Sequence, residues 1–117
     1  MLFRSLELYR CAYEVATAVG SPDHAVDAAR LSGRLLRRQA EWDDARRWFD
    51  LTREIADVAG LPEAAAQALV GLGGIRREMG NLPEARQCFQ DALSAAEASG
   101  GGEVIGLAHH EIGRAHV

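Results

Sequence analysis

Apolar residues recur along this chain at the three- and four-residue spacing of amphipathic helices. Leu31 and Leu35 show this spacing, and Leu69, Leu72 and Ile75 repeat it further along. No segment shows the strict alternation of apolar and polar residues that is typical of a half-buried strand. The pattern therefore predicts an all-α fold.

Proline and glycine mark the predicted helix boundaries. Pro22 and Pro62 suit a first helical turn, and Gly20 and Gly60 suit the left-handed position just past a helix end. About six helices are predicted, stacked as antiparallel pairs. They cover residues of about 2–19, 22–39, 42–59, 62–79, 82–99 and the segment from about 103 onward.

These boundaries recur along the chain with a fixed period of 40. Two glycine series carry the period: Gly20, Gly60 and Gly100, and Gly33, Gly73 and Gly113. A fixed period of this kind is the signature of stacked helical repeats. The sequence predicts one array over residues 1–110. Its parts are a half repeat at 1–20, full repeats at 21–60 and 61–100, and a half repeat at 101–110.

Two of the recurring glycines fall in mid-helix. There glycine costs about 1 kcal/mol relative to alanine. Its presence at both Gly33 and Gly73 predicts a close helix–helix approach that a Cβ would block. The aromatics Phe49 and Phe89, separated by the same period, are predicted to fill the space between helices.

One stretch of the chain resembles a tetratricopeptide (TPR) repeat, whose pattern is W-x2-L-G-x2-Y followed by A-x3-F. It reads Leu69, Leu72, Gly73, Gly80, Ala85, Phe89 and Ala92. The period of 40 exceeds the usual 34, and Leu36 and Arg76 replace the usual tyrosine. This longer period is similar to the extended repeats of bacterial regulators and some scaffolding proteins. The resemblance implies a right-handed α-solenoid that binds protein partners.

Charge and composition narrow the function classes. The 117 residues carry a formal net charge of −4, which gives no overall attraction to nucleic acid or to anionic lipid. The start has no signal-peptide pattern and no apolar run approaches the roughly 20 residues of a membrane span, so a cytoplasmic location is expected. Cys11 and Cys88 lack the spacing of a zinc site and are expected to be small buried apolar residues.

Arginine supplies all 13 basic side chains, and several fall on one predicted helix face. The i, i+4, i+7, i+8 spacing places Arg30, Arg34, Arg37 and Arg38 on this face. Arg77 lies one 40-residue period after Arg37 and is therefore its period mate. Planar guanidinium groups suit carboxylate recognition. These five arginines are therefore the predicted groove for an acidic peptide or C-terminus. The alternative is a solvated face, partly neutralised by nearby acids. Those acids are Asp27, Glu41, Asp43, Asp44 and Glu78.

No catalytic motif accompanies this pattern. The run at 71–74 lies inside a predicted helix rather than in a phosphate-binding loop, and His109 and His110 are adjacent, which disfavours a shared metal. The chain is expected to be non-enzymatic, without cofactor or metal. We expect a protein-interaction module whose concave groove takes a peptide or a partner helix, with neither nucleic acid nor membrane as a direct partner.

Two other interpretations stay open. The chain could be a sensor or oligomerisation fragment of a larger bacterial transcriptional regulator or signalling ATPase, with oligomerisation through its uncapped repeat ends. It could also be a small-molecule or enzyme-associated helical domain. Residues 111–117 can be written in codons that match the start of a common short-read sequencing adapter, so we expect this last segment to be an artefact.

Overall fold

Five α-helices account for nearly all of the chain that the computed structural model describes, residues 2–99, with side chains for residues 5–98. They are α1 (Leu2–Val19), α2 (Pro22–Arg38), α3 (Trp42–Ala59), α4 (Pro62–Glu78) and α5 (Leu82–Ser99). Within this part of the chain there is no strand, which confirms the all-α prediction. The predicted sixth helix, the half repeat at 101–110 and the segment 111–117 lie outside the described residues.

The four connections between the helices share one backbone conformation. The chain turns through positive φ after each helix, at Gly20 (74°), Ala40 (60°), Gly60 (70°) and Gly80 (87°). The next amide then donates a hydrogen bond to the carbonyl of the preceding helix end, as Leu61 N does to Ala56 O at 2.8 Å. This six-to-one bond satisfies carbonyls that a helix end leaves unpaired. Each helix therefore reverses sharply into the next, and the left-handed positions are evenly spaced along the chain.

The helices form two layers. Each helix packs on its neighbours in sequence, and the backbones of α2 and α4 also approach each other directly. The backbones of the odd-numbered helices do not come this close within residues 2–99, although the rings of Tyr13 and Trp48 meet edge-on at 5.5 Å. The even-numbered helices α2 and α4 therefore lie closer together than the odd-numbered helices do. We call the outward surface of α2 and α4 the α2–α4 face.

Glycines in α2 and α4 allow aromatic rings of the other layer to pack directly against the helix backbone. The Phe49 ring of α3, only 1% exposed, lies between Gly33 of α2 and Gly71 of α4. A Cβ added at Gly33 would come within 3.1 Å of that ring, and one added at Gly71 within 2.5 Å. At Gly73 a Cβ would overlap the ring of Phe89. The predicted close approach at Gly33 and Gly73 is confirmed, and Gly71 adds a third contact that the repeat pattern did not indicate.

No helix in residues 2–99 is long and apolar enough to cross a bilayer.

Candidate partner-binding site

The structure places the five predicted groove arginines in three different surroundings. Arg34, Arg37 and Arg38 line one open cleft of about 270 Å³, together with Glu78 of α4. Arg30 lines a separate cleft of about 490 Å³ nearer the start of α2. Of the four arginines predicted to share one face of α2, Arg34, Arg37 and Arg38 therefore form a basic cluster, and Arg30 lies apart from it.

Arg37 is fixed across the two helices. Its Nε and Nη2 both donate hydrogen bonds to Oε1 of Glu78, at 3.1 and 2.9 Å. The guanidinium lies over the backbone of α4 at Gly74, where any Cβ would overlap it. Because the two side chains are only 24% and 33% exposed, this ion pair is partly shielded from water. Arg37 thus joins α2 to α4 in the cleft.

Arg34 and Arg38 are the other basic members of the cleft. They stand one helical turn apart on α2, about 6 Å along the helix axis. Neither forms a hydrogen bond or ion pair with the side chains of residues 5–98. The three guanidinium groups and the single Glu78 carboxylate give the cleft a local net charge of +2. The overall acidity of the chain conceals this local positive surface.

The other two predicted arginines occupy different surroundings. Arg30 is mostly buried and its Nη2 lies 3.8 Å from Oδ1 of Asp27, in a cleft that Asp23 and Glu63 also line. Arg77 is half-buried, with its Nη1 shielded from solvent, and it does not line the cleft of Arg37. The period relation to Arg37 alone does not bring Arg77 to the same place.

The acidic residues that were expected to neutralise a solvated arginine face pair with only two of the five arginines. Within the described side chains, Asp27 pairs with Arg30 and Glu78 with Arg37, whereas Asp44 lies 3.6 Å from Arg47 on its own helix. The solvated-face interpretation therefore accounts for Arg30 and Arg37. It leaves two positive charges of the cleft unneutralised.

The cysteine and histidine side chains in the described part of the chain do not form a second candidate site. Burial raises the pKa of the half-buried Cys88 thiol, although the Arg76 guanidinium beside it acts in the opposite direction. Cys11 is exposed, so the expectation that both cysteines are buried is wrong for Cys11. His24 Nδ1 and Ser21 Oγ lie 2.6 Å apart at the start of α2. Residues 2–99 hold no group of three or more side chains suited to a metal ion, and His109 and His110 fall outside this range.

The sequence-based reasoning missed Gly74 and the specific role of Glu78. Gly74 is the period mate of Arg34, so the repeat register gave no reason to place it under a guanidinium. The available signal was the unusual density of glycine in residues 71–74 of a helix, where each glycine weakens the helix and needs a packing reason.

Comparison with family models and with curated proteins finds no match. Among solved structures, the chain is similar to the crystal structure of BtubC (BKLC) from P. vanneervenii, with a TM-score of 0.84 and 21% sequence identity. The match covers 98% of this chain and 48% of that one, so this chain spans about half the length of BtubC. At this identity the likeness shows a shared all-helical fold, and the resemblance to TPR repeats stays a prediction.

Proposed function

We propose that this chain is a non-enzymatic, cytoplasmic protein-interaction module of TPR-like helix pairs, and that its α2–α4 face binds an acidic peptide segment. The observation that carries the proposal is the pair Arg34 and Arg38. They stand one turn apart in an open cleft, and neither has an ionic partner within the described side chains. Arg37, fixed beside them by Glu78, adds a third positive group.

The chemistry of the cleft supports an acidic partner. A guanidinium offers a planar fork of donors that matches the two oxygens of a carboxylate. Two such forks about 6 Å apart suit two carboxylates on one extended or helical peptide. Because Gly74 lets Arg37 lie flat against α4, the cleft floor is closely packed while its rim stays open. No cofactor takes part in binding of this kind.

The expected affinity contribution is modest. An exposed ion pair contributes up to about 1 kcal/mol. Two pairs at the rim would then contribute up to about 2 kcal/mol, or up to about 30-fold in the dissociation constant. Higher salt reduces this contribution, because the pairs are exposed to solvent.

Fluorescence anisotropy of a labelled Asp/Glu-rich peptide tests the proposal. The variant Arg34→Gln/Arg38→Gln should bind the peptide about 2- to 30-fold more weakly than the unaltered chain. The matched control is Arg46→Gln/Arg47→Gln, which removes the same charge from the exposed surface of α3. Far-UV circular dichroism shows whether both variants stay folded.

Three results would contradict the proposal. The control variant could lose as much affinity as the α2 variant, or the peptide could fail to bind at all. An Asn/Gln copy of the peptide could also bind as tightly as the acidic one. The first result would indicate non-specific attraction to arginine, and the others would exclude acidic recognition.

A second proposed function starts from the length comparison. Because this chain spans about half of BtubC, the same fold occurs within a longer polypeptide. The comparison bears on length alone, and we keep as a second proposal that the chain is a sensor or oligomerisation segment of a larger bacterial regulator or signalling ATPase. A helix-turn-helix or P-loop encoded beside this segment in the gene would favour it over a free-standing module.

A further inference from the structure

A cavity of about 350 Å³ lies between α1 and α3, and we call it the α1–α3 cavity. Its apolar lining comes from three consecutive helices: Leu6 of α1, Leu36 of α2, and Trp48 and Leu51 of α3. Leu6 and Trp48 pack on the buried cluster that contains Leu36, so the core holds these walls in place. The cavity shares no lining residue with the arginine cleft on the α2–α4 face.

Three charged side chains also line this cavity: Arg10, Asp44 and Arg47. Nη1 of Arg47 lies 3.6 Å from Oδ1 of Asp44, so these two charges offset each other. Arg10 is exposed and forms no hydrogen bond or ion pair with the side chains of residues 5–98, although Glu14 stands one turn away on the same helix. The lining therefore has a net charge of +1, which Arg10 supplies beside the apolar walls.

The repeat register shows that the fold does not require this apolar lining. Shifted by one 40-residue period, the four apolar positions are Arg46, Arg76, Cys88 and Asp91. Arg76 pairs there with Glu84, and Nε2 of Gln87 donates a hydrogen bond to Oδ1 of Asp91 at 2.9 Å. The space between α3 and α5 thus accommodates polar and ion-paired side chains where the space between α1 and α3 has leucine and tryptophan.

The same register indicates that a helix preceding α1 would not cover the cavity. Such a helix would correspond to α2 in the next repeat. The backbone of α2 approaches those of α3 and α4, but within residues 2–99 it does not come close to α5. A helix before α1 would by analogy contact α1 and α2 and would not reach the space between α1 and α3.

The lining suits a molecule that has both an apolar chain and an anionic group. Small-molecule sites are typically apolar, with a few polar groups that fix orientation, and have volumes of about 300–1,000 Å³. The guanidinium fork of Arg10 matches the two oxygens of a carboxylate. We propose that the α1–α3 cavity binds a small carboxylic acid, with its apolar chain against Leu6, Trp48 and Leu51 and its carboxylate at Arg10. This site is independent of peptide binding by the α2–α4 face.

Octanoate is the probe, and the fluorescence of Trp48 reports its binding. The chain has two tryptophans, so Trp42→Phe leaves Trp48 as the single reporter. The fluorescence should change saturably with octanoate. Hexanoate should bind more weakly by up to about fourfold for each of the two methylenes that it lacks, because fewer apolar atoms are buried. Calorimetric titration of the unaltered chain repeats the measurement without the Trp42 substitution.

Two variants separate the roles of the charge and of the apolar walls. Arg10→Gln should weaken octanoate binding by up to about fivefold and leave octanamide binding unchanged. Leu51→Asp should weaken both by about tenfold or more, since it puts a charge into the apolar wall. It introduces the residue that the repeat has at Asp91. The matched controls are Arg46→Gln and Val58→Asp, which change exposed residues of α3 outside this cavity.

Several results would overturn the proposal. Octanamide could bind the unaltered chain as tightly as octanoate, which would exclude carboxylate recognition by Arg10. Leu51→Asp and Val58→Asp could weaken binding equally, or Val15→Asp could be the variant that weakens it. The last result would place the ligand in the separate groove between α1 and α2 that Val15 lines. A peptide ending in leucine could bind here while octanoate does not, or no saturable change could occur.

Discussion

Replacement of Gly73 by alanine tests the close packing on which the fold depends. Gly73 of α4 faces the ring of Phe89, which is 0% exposed. Phe89 belongs to a buried cluster that includes Leu69 and Ala92, so its ring has little room to move. A Cβ at Gly73 would overlap the ring, and either the ring or the α4–α5 spacing would have to shift.

The magnitude follows from comparison with Gly33. Alanine gains about 1 kcal/mol over glycine in a helix interior at either position. At Gly33 the new Cβ lies 3.1 Å from Phe49, which a small ring shift can relieve. At Gly73 overpacking of the core costs about 1–3 kcal/mol. Because the helix gain cancels in the comparison, Gly73→Ala should be about 1–2 kcal/mol less stable than Gly33→Ala.

Urea and thermal unfolding followed by circular dichroism measure this difference. With an unfolding entropy of about 2.1 cal/mol/K per residue, 1 kcal/mol corresponds to about 4 °C in Tm for a chain of 117 residues. In a Phe89→Leu background the cost of Gly73→Ala should shrink, since the smaller side chain relieves the overlap. Equal stability of Gly73→Ala and Gly33→Ala would refute the packing account.

Three further perturbations test other features. Ala40→Gly should stabilise the chain by up to about 1 kcal/mol and Gly80→Ala should destabilise it by about as much, because both positions have positive φ; urea midpoints that move in the same direction would contradict this. Burial raises the pKa of the Cys88 thiol, so the folded state holds that proton more tightly and loses stability as pH rises beyond about 9; Cys88→Ala should flatten this loss in alkaline unfolding curves, and an unchanged loss would contradict this. Arg37→Met should lower stability by about 1 kcal/mol at low salt and by less at high salt, measured by urea unfolding in both conditions.

The helices and their ends could be predicted because their signals are local. Pro22 and Pro62 fix a first turn, and Gly60 supplies a left-handed residue at a helix end, with no information needed from distant parts of the chain. The left-handed turn at Ala40 was not indicated, because alanine rarely adopts positive φ. Its period mate Gly80 is the only sequence clue to that turn.

The arrangement of the arginines was predictable only along one helix. Helical spacing places Arg34 and Arg38 on a common face whatever the rest of the chain does. The position of Arg37 depends on contacts between helices. Its guanidinium pairs with the Glu78 carboxylate and occupies the space that a Cβ at Gly74 would fill. Spacing within α2 contains no information about those residues of α4.

The proposed function requires that the α2–α4 face recognise an acidic peptide through Arg34 and Arg38. The most direct measurement is a titration of the isotope-labelled chain with an Asp/Glu-rich peptide, followed by the shifts of its backbone and guanidinium NMR signals. We expect saturable shifts at Arg34, Arg38 and the end of α4 near Glu78, with little change along α5. Shifts concentrated on the odd-numbered helices, or no saturable shift at the two arginines, would contradict it.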